Sequence, residues 1–245
     1  MRSKIIAGNW KMNTTLADAH VLADGVRQEL EHVEHVEVVL FPPTIWLTEL
    51  ARSIQPGCLP HLRLGAQNFY PEERGAFTGE TSLQMIKEVA EYVLIGHSER
   101  VHLFQEGTEL LTRKLQAAFS VGLAPILCIG EEKQSAASIR ALTHTLNHLV
   151  KVLSEEQLKD LVVAYEPVWA IGTGLAATGE YAEDVASALR QTLTAETRIL
   201  YGGSATEANA KEFLQQPNID GLLIGGASLK LKSFVTICQQ ADNLA

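Results

Sequence analysis

Eight short runs of apolar and β-branched residues punctuate the chain, beginning near Lys4 (KIIAGNW), Val36 (VEVVLFP), Leu62 (LRLGAQN), Glu91 (EYVLIGH), Ala124 (APILCIG), Leu161 (LVVAYEP), Arg198 (RILYGGS) and Asp220 (DGLLIGG). Successive starts lie between 22 residues (Arg198 to Asp220) and 37 residues (Ala124 to Leu161) apart. Most gaps carry a helical pattern, as at Leu142, Leu146, Leu149, Val150 and Leu153, which share one face at 3.6 residues per turn. Strands apolar along their whole length and joined by helices require a parallel sheet covered on both faces. Eight such units predict an α/β fold, a closed (β/α)8 barrel of eight parallel strands with outer helices, as a single domain over residues 1–245. An open doubly wound sheet is the competitor. It would favour a glycine fingerprint after the first strand, where this chain has AGNWKMN, and no G-x-G-x-x-G opens a helix elsewhere. No linker or low-complexity tract divides the chain.

Composition narrows the partners. A formal net charge of −9 argues against nucleic acid, which requires a basic face. Any attraction for an anionic ligand must then be local. No apolar stretch approaches the ~18 residues of a membrane span. The N-terminus, MRSKIIAGNWKMN, breaks its short apolar run at Gly8, unlike a secretory signal; the expectation is a cytoplasmic protein with no membrane partner. Cys58, Cys128 and Cys238 are unclustered and lack a C-x-x-C pair, so they read as thiols. His144 and His148 are four apart on a helix but fall off its leucine face and have no third ligand, so no metal is expected.

In a barrel the loops after the strands converge on one working face. The strand ends deliver Asn9 and Lys11, His97, Glu166, Gly203 and Ser204, and Gly225 and Gly226 to that face. Taken singly, Glu166 reads as a solvated or ion-paired loop residue, Lys11 as a surface lysine and the glycines as turn residues. Their joint arrival at one rim favours chemistry.

The blocks GNWKMN, GAFTGE, GHSER, CIGE, AYEPVWAIGTG, YGGS and DGLLIGGASLK, in this order from residue 8 to residue 230, resemble the signature blocks of the triosephosphate isomerase family. The resemblance implies an aldose–ketose isomerase interconverting dihydroxyacetone phosphate and D-glyceraldehyde 3-phosphate through an enediolate, without a cofactor. It implies Glu166 as base, His97 as neutral electrophile, and Asn9 and Lys11 as companions that stabilise negative charge. Gly172, Ser204, Gly225 and Gly226 would hold the phosphate. Glu99, Thr78 and Tyr201 would be supporting residues, and residues 167–177 a flap latched by Tyr201 and Ser204. It further implies a homodimer through the residue 68–80 loop, with Thr78 reaching the neighbouring site. Physically, excluding water around Glu166 raises the cost of its charge and so its basicity. An imidazole at a helix start is favoured in its neutral form.

Three departures from the family pattern stand out. Val101 replaces a second arginine after GHSER; Gln105, Glu106, Gly107 and Thr108 replace the usual run that starts the next helix; and Leu175, Ala176, Ala177 and Gly179 form an unusual second hinge for the flap, with Gly179 expected to loosen it. Other readings stay open: a Schiff-base aldolase, which would want a lysine inside the barrel; a phosphosugar isomerase or epimerase acting on another substrate; and a barrel that only binds phosphate or a partner.

Overall fold

The computed structural model describes residues 2–54, 59–170 and 176–245. Its strands are β1 (Lys4–Asn9), β2 (Val36–Phe41), β3 (Leu62–Ala66), β4 (Tyr92–Ile95), β5 (Ala124–Glu131), β6 (Val162–Pro167), β7 (Arg198–Tyr201) and β8 (Gly221–Ile224). Each pairs in parallel with the next in sequence, and β8 pairs with β1 to close the ring. Around it run α1 (Leu16–Glu29), α2 (Leu47–Ser53), α3 (Leu83–Lys87), α4 (Ser98–Phe104), α5 (Thr108–Val121), α6 (Ala136–Val150), α7 (Glu155–Asp160), α8 (Gly179–Arg190), α9 (Ala210–Leu214) and α10 (Leu231–Asp242). Three expected strands, at Glu91, Leu161 and Asp220, begin one residue later than their apolar runs. The leading Glu91 and Asp220 lie at the mouth, where their carboxylates reach arginines.

The apolar residues divide into two layers because successive side chains of a strand point to opposite faces. Ile5, Ala7, Val39, Phe41, Tyr92, Leu94, Ile126, Cys128, Val162, Ala164, Leu200 and Leu223 fill the barrel interior. Their neighbours Ile6, Val38, Val93, Leu127, Val163 and Tyr165 face outward, against leucine and alanine faces of the helices. In α6 the buried residues are Leu142, Leu146, Leu149 and Val150, the face expected from spacing, while His144 and His148 are exposed. This parity decides where the polar residues go. Asn9 continues the inward series Ile5, Ala7, and Glu166 continues Val162, Ala164, so both arrive inside the barrel at its C-terminal mouth.

Helix starts are set locally. Thr15 and Ser154 make reciprocal capping boxes with Asp18 and Gln157, and Ser82, Ser135 and Thr178 each accept a backbone N–H of the helix they precede. No helix among the described residues is long and apolar enough to cross a membrane.

Candidate active site

A cavity of about 370 Å³ opens at the C-terminal mouth, lined by Asn9, Lys11, His97 and Glu166 on one side and by residues 202–206 and 225–227 on the other, with Leu223 at its floor. Ser204, Gly225 and Gly226 are in that lining. Gly172 lies outside the described residues, as do Leu175 of the second hinge and Cys58. Thr78 is not in the lining; it sits on the exposed loop after β3.

Glu166 is almost completely buried. Its Oε2 accepts the backbone N–H of Ser98 at 2.8 Å, and its Oε1 lies 3.1 Å from His97 Nε2 but off the line of the ring N–H, so that oxygen has no hydrogen-bond partner. Burial lifts the carboxyl above the ordinary glutamate value, against the opposing pull of His97, the Ser98 hydrogen bonds and Lys11. The net direction is toward a stronger base.

His97 stands at the N-cap of α4, delivered there by Gly96, whose φ of +72° turns the chain sharply out of β4 in a conformation other residues adopt only with strain. The Glu99 N–H donates to His97 Nδ1 at 3.2 Å. A ring nitrogen that accepts carries no proton, so the imidazole hydrogen is on Nε2, the nitrogen nearer Glu166.

Lys11 occupies the left-handed region at φ 53°, an uncommon conformation for a residue with a side chain. It is pinned by its N–H donating to Asn9 Oδ1 at 3.0 Å and by Gln67 Nε2 donating to its carbonyl at 2.8 Å; Gln67 also donates to the carbonyl of Phe41. The ammonium pairs with Glu99 Oε1 at 2.6 Å. This gives an acidic protein one localised cation beside the cavity.

Tyr201 does not line the cavity. Its hydroxyl accepts the Ala177 N–H at 3.2 Å, and its ring stacks on Phe213 with centroids 3.9 Å apart. Burial pushes its phenol up to about 12, so it stays protonated at neutral pH. Ser204 Oγ reaches the Ala170 carbonyl only at 3.5 Å. At the far end of the same segment, Gly179 donates its N–H to Glu212 Oε1, and a Cβ built on Gly179 would come within 2.7 Å of Glu212 Cγ. The position expected to loosen the hinge thus carries its own tether.

The unusual run after α4 also finds partners. Gln105 takes the left-handed conformation that ends α4, Gly107 caps α5, and Glu106 is buried between Arg100 at 2.6 Å and Lys114 at 2.8 Å. Arg100 therefore has an ion-pair partner with Val101 beside it. Sequence reasoning missed Gln67, Ser98 and Glu131. Each sits inside or beside a block singled out for other residues, LRLGAQN, GHSER and CIGE, and only the folded pairing exposes its task.

The sequence model of triosephosphate isomerase matches residues 4–241. A triosephosphate isomerase of Dehalococcoides mccartyi strain 195 is 45% identical over 252 residues, covering 100% of this chain and 99% of the relative. Those of strains BAV1 and CBDB1 are each 44% identical over 249 residues, covering 98% of this chain and 97% of the relative.

Proposed function

The chain belongs to the triosephosphate isomerase family, an isomerase interconverting dihydroxyacetone phosphate and D-glyceraldehyde 3-phosphate, and we propose that Glu166 is its base and His97 its electrophile. Glu166 takes a proton from the carbon beside the carbonyl, and the electron pair moves into an enediolate. The same carboxyl returns the proton to the neighbouring carbon. One observation carries this reading: a buried carboxylate with one oxygen tied to Ser98 and the other unpaired, 3.1 Å from a ring nitrogen that bears a hydrogen. The unpaired oxygen is the one placed to take the proton. The Nε2–H of His97 donates to the substrate oxygen as negative charge builds there, and an uncharged donor is the closer match in acidity to an enediolate.

Lys11, held by Glu99, supplies the fixed positive charge, and Asn9 a second donor. Ser204, Gly225 and Gly226 form the phosphate end of the cavity, with Gly172 assigned to the same task by resemblance. Tyr201 supports the reading by holding Ala177 close to the loop after β7. The inward positions of β6 are Val162, Ala164 and Glu166, which leaves a Schiff-base aldolase without its lysine on that strand. The chemistry assigned here runs on side chains alone.

The proposed assembly is a homodimer through the residue 68–80 loop, with Thr78 completing the neighbouring site. The loop is largely exposed yet braced, with its Tyr70 and Phe77 rings 4.5 Å apart and its Glu72 paired with Arg113 of α5 at 2.6 Å. Exposed large apolar residues, Met12, Ile45, Phe77, Met85, Leu103 and Phe104 among them, lie on segments following β1 to β4, which supports an interface on those segments. Sedimentation at micromolar concentration should give twice the mass of one chain; a single-chain mass would remove the dimer. The buried free thiols of Cys128 and Cys238 support a reducing, cytoplasmic setting, and the ring of eight strands closed on itself supports a single domain.

A coupled assay for glyceraldehyde 3-phosphate isomerisation tests the mechanism. Glu166→Asp, which withdraws the carboxylate by one methylene, should lower kcat by ~10²-fold or more, and His97→Gln should do likewise. Full turnover in both variants would overturn the assignment.

A further inference from the structure

Glu131, at the end of β5, is 5% exposed and has no part in the chemistry above. Its Oε1 accepts three hydrogen bonds: from Tyr165 Oη at 2.8 Å, from Tyr181 Oη at 2.6 Å and from Trp169 Nε1 at 3.3 Å. Its Oε2 is buried with no partner. A buried carboxylate is costly unless hydrogen-bonded, so these three donors hold the charge between them, and losing any one leaves it poorly satisfied.

The placement of the donors relates this cluster to the base. Tyr165 immediately precedes Glu166 and Trp169 follows it by three residues, while the strand register pairs Glu131 with Pro167 and Gly130 with Glu166. The segment bearing the base is therefore gripped on both sides by one carboxylate. Tyr181 comes from elsewhere, from the first turn of α8, and makes the shortest of the three bonds. Its ring also packs edge-on to Trp169, centroids 6.3 Å apart at 69°. Burial and the neighbouring carboxylate push the phenols of Tyr165 and Tyr181 up beyond any physiological pH, so both remain donors.

We propose that Tyr181 is a positioning residue for the isomerisation: its hydroxyl fixes the Glu131 carboxylate that ties Tyr165 and Trp169 on either side of Glu166, and so holds the base in place. The inference rests on Glu166 acting as base. Tyr181 touches neither the substrate cavity nor Glu166; it acts through Glu131.

Tyr181→Phe removes the hydroxyl alone and keeps the ring on Trp169, so the variant should fold. Misplacing a catalytic group costs rate more than binding. The expected result is a fall in kcat of about tenfold with KM within about twofold of the parent. In protein labelled with 5-fluorotryptophan, the fluorine resonance of Trp169, assigned through Trp169→Phe, should shift in Tyr181→Phe while those of Trp10 and Trp46 stay put. A kcat within about twofold of the parent, a loss carried by KM alone, or an unmoved Trp169 resonance would overturn the proposal. Glu166→Asp, assayed alongside, separates the two failures. If it lowers kcat by the ~10²-fold or more expected above while Tyr181→Phe is silent, only the role of Tyr181 falls; if it leaves turnover intact, the base assignment falls and takes this inference with it.

Discussion

At the N-terminal mouth of the barrel, Asp220 accepts from Arg2 at 2.6 Å, from Arg190 at 2.9 Å and from the Ile199 N–H at 2.8 Å, while Glu37 pairs with Arg198 at 2.9 Å and Glu91 with Arg63 at 2.9 Å. At the C-terminal mouth, Glu166 is more deeply buried than any of these, yet it leaves one oxygen unpaired, and Lys11 is held in a strained backbone conformation. Both ends carry ion pairs, Lys11 with Glu99 at one and the arginines with Asp220, Glu37 and Glu91 at the other; they differ at Glu166, a buried carboxylate that no arginine or lysine among the described residues pairs with. Volume points the wrong way. The larger cavity, about 980 Å³ with Arg2, Tyr92, Lys159 and Arg198 in its wall, is at the N-terminal mouth, against about 370 Å³ at the site. A carboxylate that an arginine holds is a candidate for stability, and one buried with an oxygen left over is a candidate for reactivity, which is the division proposed above for Asp220 and Glu166.

That contrast can be broken in three ways. The largest effect belongs to Lys11→Met, which removes a preorganised cation from the working mouth: kcat/KM should fall by ~10²–10³-fold, read in the isomerase assay, with the melting temperature nearly unchanged. A variant that melts early and keeps its rate would show Lys11 to be structural.

Asp220→Ala makes the opposite demand. It strips two arginines and a backbone N–H of their shared acceptor, and unfolding in urea should show a loss of ~2–3 kcal/mol. The folded fraction should keep the parental kcat/KM; a rate defect there would mean the two mouths are coupled.

The smallest effect has the least expected sign. Burial raises the folded-state pKa of Glu166 above the ordinary 4.5, so the fold prefers the protonated acid. That preference contributes stability in full below the unfolded value and loses it as pH rises through the folded one. At neutral pH, where the unfolded chain carries this glutamate ionised, burying it is therefore a burden. Glu166→Gln should melt higher than the parent at about pH 7, and the gain should vanish toward pH 4, where both side chains are neutral. Scanning calorimetry at the two pH values decides, and no gain at pH 7 would remove the contrast between the mouths.

Much of the barrel was legible from the chain because its signals are local. The run VVAYEP is apolar and β-branched regardless of what surrounds it, and the leucines of α6 fall on one face by spacing alone. The site was legible through blocks of residues adjacent in sequence, which brought Asn9, Lys11, His97 and Glu166 to one rim. What stayed hidden depends on residues far apart in the chain. Ser98 meets Glu166 across 68 positions, Tyr181 meets Glu131 across 50 and Gln67 meets the Lys11 carbonyl across 56. Polar pairs of this kind have no periodicity, and a glutamate that ends CIGE looks like any other strand-end carboxylate until the tyrosines arrive. Gly179 was legible as unusual, but the Glu212 that binds its N–H was not.

The pairing of Gly130 with Glu166, inside a ring whose every strand is bonded on both sides, has a consequence for how such a chain can vary in length. Side chains alternate, so a single residue inserted or deleted between Val162 and Glu166 would present Tyr165 or Pro167 to the mouth and turn the carboxylate toward the helices. The barrel could survive such an indel; a reaction that uses Glu166 as its base could not. Six residues of strand thus act as a ruler, and the gaps that separate relatives should gather in the outer loops instead.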